Sequence, residues 1–382
     1  MGRFDQLLAS REIVVTCGSG GVGKTTTAAA LATMAAVHQG GKVLVLTVDP
    51  ARRLANAMGL ESFGNVETRV DAAAFDDAGV EPRGELWAAM LDTKQSWDDL
   101  VRRHAPDAET RDLILANPLY QNVTGKFVQS HDYIAMERLY ELHSSGKYDL
   151  IVVDTPPTRN AIDFLEAPER MADFFSSRLL RWLLAPYRSR IMTMASRPFY
   201  QIADRILGSQ FLQDIAEFFI LFQTMYDGFV SRARSVERLL HDRRTTFVVV
   251  TTLESAPVHE AQFFIRALAE RDLHLGGVVM NKVLPSYLLD ASASAVATRL
   301  CDDADTVAAA LPEDLIGERK AVARVLHEVG SSFLNFQIVA KREADQRAEL
   351  GATPEVVASV PYFDTDIYDL AGLYALGSTI WS

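Results

Sequence analysis

Six short runs of β-branched and aliphatic residues recur along the chain: Ile13 to Cys17, Val43 to Val48, Leu86 to Leu91, Leu150 to Asp154, Phe247 to Thr251 and Gly276 to Asn281. A seventh, Val356 to Val360, closes the series. They are near-continuously apolar rather than alternating, which is how strands read when both faces of a sheet are covered by helices. Helical patterns fill the intervals. Strand-then-helix repetition predicts an α/β fold with a doubly wound, mostly parallel sheet.

Two stretches break this rhythm. Residues 93–145 are helical in pattern, with Pro106 and Pro118 as punctuation. Residues 168–241 are helical again and more apolar, interrupted at Pro186 and Pro198. They read as insertions that together make a helical subdomain beside the sheet. The predicted organisation is therefore core 1–92, helical insertion 93–145, core 146–167, an apolar, Arg-rich insertion 168–241, and the C-terminal part of the core, 242–382. Residues 291–310 read as a surface helix or loop excursion before a long helix that ends near Leu350.

One local motif carries chemistry. Gly18-Ser19-Gly20-Gly21-Val22-Gly23-Lys24-Thr25 has the phosphate-loop spacing of Gly, four residues, then Gly-Lys-Thr. It follows the first strand and precedes an Ala-rich helix, Thr26 to Ala36. Glycines let successive backbone N–H groups turn toward phosphate oxygens, and the helix N-terminus adds partial positive charge. Lys24 would reach the β- and γ-phosphates of a nucleotide, and the Thr25 hydroxyl would ligate Mg²⁺. Asp154 closes an apolar strand, where a second acid is needed to hold the metal's water shell; the alternative is that it caps the next helix. Asp49 ends the second strand and can orient a water for attack on the γ-phosphate, or equally serve as an N-cap.

Composition narrows the classes. The 382 residues include 38 Lys and Arg against 50 Asp and Glu, a net charge of −12, with 48% hydrophobic residues. Disorder is excluded by that apolar content, and a general nucleic-acid binder by the acidic balance. Cys17 and Cys301 are the only thiols, too far apart in sequence for a Cys-x-x-Cys metal site. Residues 1–10 carry charges and no long apolar run, so no signal peptide is expected, and no stretch of about 18 apolar residues predicts a membrane span. A cytoplasmic protein is the expectation.

At the glycine-rich loop and the two acid-ended strands the sequence resembles the anion-transporting ATPase family, of the MinD-type P-loop class. That family includes the arsenite-pump ATPase and the eukaryotic factor that delivers tail-anchored proteins to membranes. The resemblance rests on Gly20-Gly21-Val22-Gly23-Lys24-Thr25-Thr26, on Asp49-Pro50-Ala51 as a first switch, on Asp154-Thr155-Pro156-Pro157-Thr158 as a second, and on the helical insertions that follow. It is similar in particular to an actinobacterial branch whose second switch reads Asp-Thr-Pro-Pro-x-Arg-Asn. The resemblance implies an ATP-hydrolysing P-loop NTPase that uses ATP and Mg²⁺ and works as a dimer. It makes Asp49 and Lys24 catalytic, places Mg²⁺ on Thr25 and, through water, on Asp154, and assigns adenine to Asn281 with Pro361 and Phe363 lining the base.

Three departures qualify that implication. The family's phosphate loop has a lysine at its second position that crosses a dimer interface; here the position is Ser19. A cation supplied in trans to phosphoryl transfer is worth roughly 10³–10⁵ in rate, and a hydroxyl cannot replace it. The zinc-clasp and arsenite-binding cysteines are both missing, which argues against metalloid pumping. The expectation is a heterodimer with a lysine-bearing paralogue, this chain alone being weakly active. The alternatives are a slow homodimer, a catalytically weak regulatory nucleotide-binding subunit, and a membrane-associated positioning ATPase.

The second insertion supplies the partner expectation. Residues 174–203 hold Arg178, Arg181, Arg188, Arg190 and Arg197 with no acidic residue, interleaved with aromatic and aliphatic side chains. Such a stretch suits an anionic membrane surface, hence peripheral association, or a hydrophobic client; the plain alternative is arginines solvated or paired. The stripe Phe211, Ile215, Phe218, Phe222, Met225 and Phe229 has helical spacing, and reads as core more readily than as a groove.

Overall fold

A computed structural model describes residues 3–48, 52–60, 64–121, 128–155, 166, 170, 173, 217–311, 318–352 and 354–381. Among them lie eight strands: β1 (Ile13–Cys17), β2 (Lys42–Thr47), β3 (Thr68–Arg69), β4 (Glu85–Met90), β5 (Leu150–Asp154), β6 (Thr245–Thr252), β7 (Leu275–Val283) and β8 (Val356–Pro361). They form one sheet in the order β3-β4-β2-β5-β1-β6-β7-β8. Every pairing is parallel except β3 with β4. All seven predicted strands are present within a few residues; the short antiparallel β3 was not anticipated.

The period-two alternation of each strand feeds two cores, one on each face. On one face Val14, Val43, Val45, Val152, Val248 and Val250 pack with α2 (Lys24–His38) and the C-terminal helix, numbered below. Small side chains such as Ala28, Ala29, Ala30 and Ala32 let α2 lie close to the sheet while that helix covers it from outside. On the other face Ile13, Val15, Leu44, Leu46, Ile151, Val153, Phe247 and Val249 pack with side chains from residues 97–142 and 218–240.

In chain order the helices are α1 (Phe4–Ala9), α2, α3 (Arg52–Ala57), α4 (Ala72–Asp77), α5 (Thr93–His104), α6 (Ala108–Ala116), α7 (Val128–Ser144), α8 (Tyr226–Leu240), α9 (Ser255–Glu270), α10 (Ala291–Asp302), α11 (Ala304–Ala309), α12 (Arg319–Leu350) and α13 (Leu370–Trp381). Asp92 and Asp107 cap α5 and α6 by accepting the N–H groups of Gln95 and Thr110, so Pro106 falls in the break between them. The expected excursion at residues 291–310 is helical, α10 and α11, and the long helix ends at Leu350 as predicted.

Helices α5 and α7 meet residues 218–229 in a cluster of rings. Trp97 of α5 stacks on Tyr133 of α7 at 5.8 Å between centroids, and Phe222 stacks on Phe229 of α8 at 5.1 Å. Phe218, Phe222, Met225 and Phe229 are all buried, so the described part of the apolar stripe is core. Each such side chain contributes about 1.5–3 kcal/mol by leaving water. Within the cluster Arg232 of α8 forms an ion pair with Glu137 of α7, which also accepts the Tyr133 hydroxyl at 2.8 Å. Burial raises the Glu137 pKa above the usual carboxylate value, and the Arg232 charge partly offsets that rise. The Arg178 to Arg197 run, together with Phe211 and Ile215, lies outside the described residues. No helix among the described residues is long and apolar enough to cross a membrane.

Candidate nucleotide site

Three strands at the centre of the sheet deliver the site's side chains to one edge. Thr16 on β1 and Thr47 on β2 are both register partners of Asp154 on β5. Register partners in a parallel ladder project to the same face, here the face covered by α2. Asp154 is fully buried, and its Oδ2 accepts the Thr25 hydroxyl at 2.6 Å and the Thr47 hydroxyl at 3.0 Å. Thr155 then ties β5 back to β1, donating its hydroxyl to the Thr16 carbonyl at 2.8 Å.

The loop between β1 and α2 turns on glycines where side chains cannot fit. A Cβ on Gly18 would lie 2.0 Å from the Val250 carbonyl oxygen of β6. Gly23 has φ +96 and caps α2 without a side chain, leaving the first N–H groups of the helix for an outside acceptor. Gly20 and Gly21 face open space, with nothing within 4 Å of where a Cβ would stand. Lys24 is buried and folds back over the loop, its Nζ donating to the Ser19 carbonyl at 3.0 Å. An ammonium, a helix N-terminus and an open glycine face together make a cradle for polyphosphate. The hydroxyl of Thr25 and the carboxylate of Asp154 form an all-oxygen donor set, which fits Mg²⁺ rather than a soft metal.

Of the predicted residues, the structure brings together Gly20, Gly21, Val22, Gly23, Lys24, Thr25 and Asp154, with Thr26 on the first turn of α2. Asn281, on β7, reaches the loop itself: its Nδ2 donates to the Val22 carbonyl at 2.8 Å. Pro361 ends β8 at the carboxyl end of the parallel strands, in register with Val283, and is exposed; Phe363 is half-buried against the α2 face. Asp49 and residues 156–160 lie outside the described residues. Ser19 is 8% exposed, and its Oγ is enclosed with no hydrogen-bond partner among the described residues. Cys17 is wholly buried, and burial pushes its thiol pKa far up, so it packs as a small apolar group. Thr47 escaped the sequence reading. A lone hydroxyl at the end of an apolar strand, two residues before an Asp, was the available signal.

The sequence profile of the anion-transporting ATPases matches residues 11–304. The chain belongs to the anion-transporting ATPase family. Among its relatives are ATPase ASNA1 homolog 1 of Paramecium tetraurelia, 27% identical over 70% of this chain and 73% of that protein, and ATPase GET3 of Scheffersomyces stipitis, 24% identical over 70% and 71%. A Streptomyces coelicolor protein is 30% identical over 72% of this chain and 63% of its own length. As a member of the anion-transporting ATPases the chain falls in a class of nucleotide-binding ATPases, and its eight-stranded sheet is the fold expected of one. A cavity of about 720 Å³ opens between α12 and the β7–β8 edge, lined by residues that include Leu253, Val283, Glu343, Arg347, Val357 and Ser359 and by none of the phosphate loop.

Proposed function

We propose that this chain binds MgATP on the phosphate loop and hydrolyses it as one subunit of a dimer, with nucleotide state coupled to the helical insertions. The observation that carries the reading is the junction of Thr25 and Thr47 on Asp154 beside Lys24, a hard-oxygen pair next to an ammonium at a helix N-terminus. In this reading Lys24 leaves the Ser19 carbonyl for the β- and γ-phosphates, and the α2 N–H groups hold the remaining phosphate oxygens. Mg²⁺, when bound, would neutralise phosphate charge, with Thr25 as ligand and Asp154 holding it through water. Asp49 orients the attacking water, and Asn281 with Pro361 and Phe363 receives the base.

The dimer is a heterodimer with a lysine-bearing paralogue, because Ser19 stands where the family resemblance places a lysine donated in trans. The enclosed Ser19 hydroxyl supports this, since it offers nothing to a neighbouring subunit's nucleotide. The partner would complete this chain's site without receiving the same in return. Ser19 favours one second reading, a nucleotide-binding subunit that regulates its partner and hydrolyses little. The client would be a hydrophobic segment or an anionic membrane surface met by the Arg178 to Arg197 stretch, and the setting cytoplasmic.

ATP turnover and oligomer mass test the proposal, measured for the isolated chain, for Ser19→Lys, and for each mixed with the paralogue. The expected result is slow turnover alone, restored by the partner. Rapid hydrolysis by the isolated wild-type chain removes the asymmetric dimer, and failure to bind MgATP removes the whole reading. Flotation with anionic liposomes tests the membrane arm; no lipid dependence eliminates it.

A further inference from the structure

We propose that Asn281 is a positioning residue for the phosphate loop: its side-chain amide fixes the Val22–Gly23 peptide so that the Gly23 N–H faces the phosphates. This rests on the MgATP reading and extends it from the base to the loop. The loop is built to be easily misdirected. Val22 sits between Gly21 at φ +80 and Gly23 at φ +96, and glycines on both sides let a peptide plane rotate at little steric cost. Something outside the loop must select one orientation.

β7 supplies it. Asn281 pairs with Thr252 of β6, and the β7–β8 register breaks between Met280 and Val283, with Lys282 at φ +58. Such an irregularity bends a strand and re-aims a side chain. Here Asn281 turns onto the loop, its Nδ2 donating to the Val22 carbonyl at 2.8 Å, while its Oδ1 accepts the Lys282 N–H at 2.9 Å. The second bond fixes the amide's orientation, so that nitrogen rather than oxygen meets the carbonyl. Gly23 leaves room for this contact, because a Cβ there would stand 2.4 Å from Nδ2.

The consequence follows from peptide planarity. A trans peptide holds its C=O and N–H on opposite sides, so anchoring the Val22 oxygen toward β7 aims the Gly23 N–H away from β7. The two bonds use one of the amide's two N–H groups and one lone pair of its oxygen, so holding the loop and contacting a base are compatible.

Magnesium tripolyphosphate, which has phosphates and no base, separates the two roles. Its affinity and that of MgATP are measured for wild type, Asn281→Ala and Asn281→Leu, the last keeping the volume without the hydrogen bond. Loss of the loop anchor predicts tripolyphosphate binding weakened by about five- to tenfold in both variants, with only a small fall in melting temperature. Tripolyphosphate binding that stays at the wild-type level while MgATP weakens overturns the proposal, leaving Asn281 to the base alone. Wild-type protein that binds neither ligand overturns the MgATP reading instead.

Discussion

Thr47 donates its hydroxyl to the same Asp154 oxygen, at 3.0 Å, that already accepts the Thr25 hydroxyl. Asp154 is thereby shared between the phosphate loop and the strand that leads to Asp49. Thr47→Val keeps the shape and removes one donor from a buried carboxylate. The expected loss is about 1.5–3 kcal/mol in urea unfolding of the ligand-free chain. A change under about 0.5 kcal/mol, the size of an ordinary surface substitution, would show that the bond carries no weight.

Lys24→Met retains most of the apolar stem and drops the charge. Removing one preorganised charge from a phosphoryl transition state is expected to lower ATP turnover by about 10²–10³-fold. Stability should change far less than turnover, because the Lys24 ammonium donates to a carbonyl of its own loop. Turnover in the presence of the partner, with a melting curve as control, checks both halves; unchanged turnover contradicts the assignment.

Gly18→Ala puts a methyl where the Val250 backbone oxygen stands, 2.0 Å away, and neither backbone can yield without moving β1 from β6. Overpacking of this kind costs about 1–3 kcal/mol. Nucleotide affinity should fall with it, since the displaced backbone opens the loop. Calorimetric binding and unfolding read both, and a variant with wild-type affinity refutes the link between the β6 contact and loop geometry.

Arg232→Met strands the buried Glu137 carboxylate, and breaking a buried pair from one side costs about 3–5 kcal/mol. The loss should depend on pH with a definite sign. Burial raises the Glu137 pKa in the folded chain, so folding favours its neutral form and stability declines as pH rises from the ordinary carboxylate value through the folded one. Arg232 opposes that rise; without it the window extends upward. The penalty should therefore be smaller at about pH 5 than at about pH 8. Equal penalties at the two pH values would mean that Glu137 does not titrate in between.

Legibility in the sequence followed the range of the contacts. Seven strands could be read because a strand covered on both faces shows itself in its own residues; β3, two residues long, leaves no pattern and exists through its pairing with β4. The phosphate loop is eight consecutive residues, so spacing sufficed. Thr47 acquires meaning only from the register that sets it opposite Asp154. The Glu137–Arg232 pair joins two insertions, and the Asn281 contact bridges 259 positions, so neither is written in any window of the chain. The stripe from Phe218 to Phe229 was legible as helical, although a turn at Thr224 and Met225 divides it before α8; its partners, Trp97 and Tyr133, were not legible.

The strand order has a consequence for how the protein is made. β1 lies between β5 and β6, and both of its neighbours come more than a hundred residues later in the chain. On the ribosome the glycine-rich loop is synthesised early and stays without a scaffold until the chain has passed residue 252. A nascent chain stalled between the two insertions would hold the loop and Asp154 but not β6, the wall against which Gly18 turns. Nucleotide can therefore act as a folding partner only once β6 has been made, after the slow, long-range step of closing the sheet around its first strand.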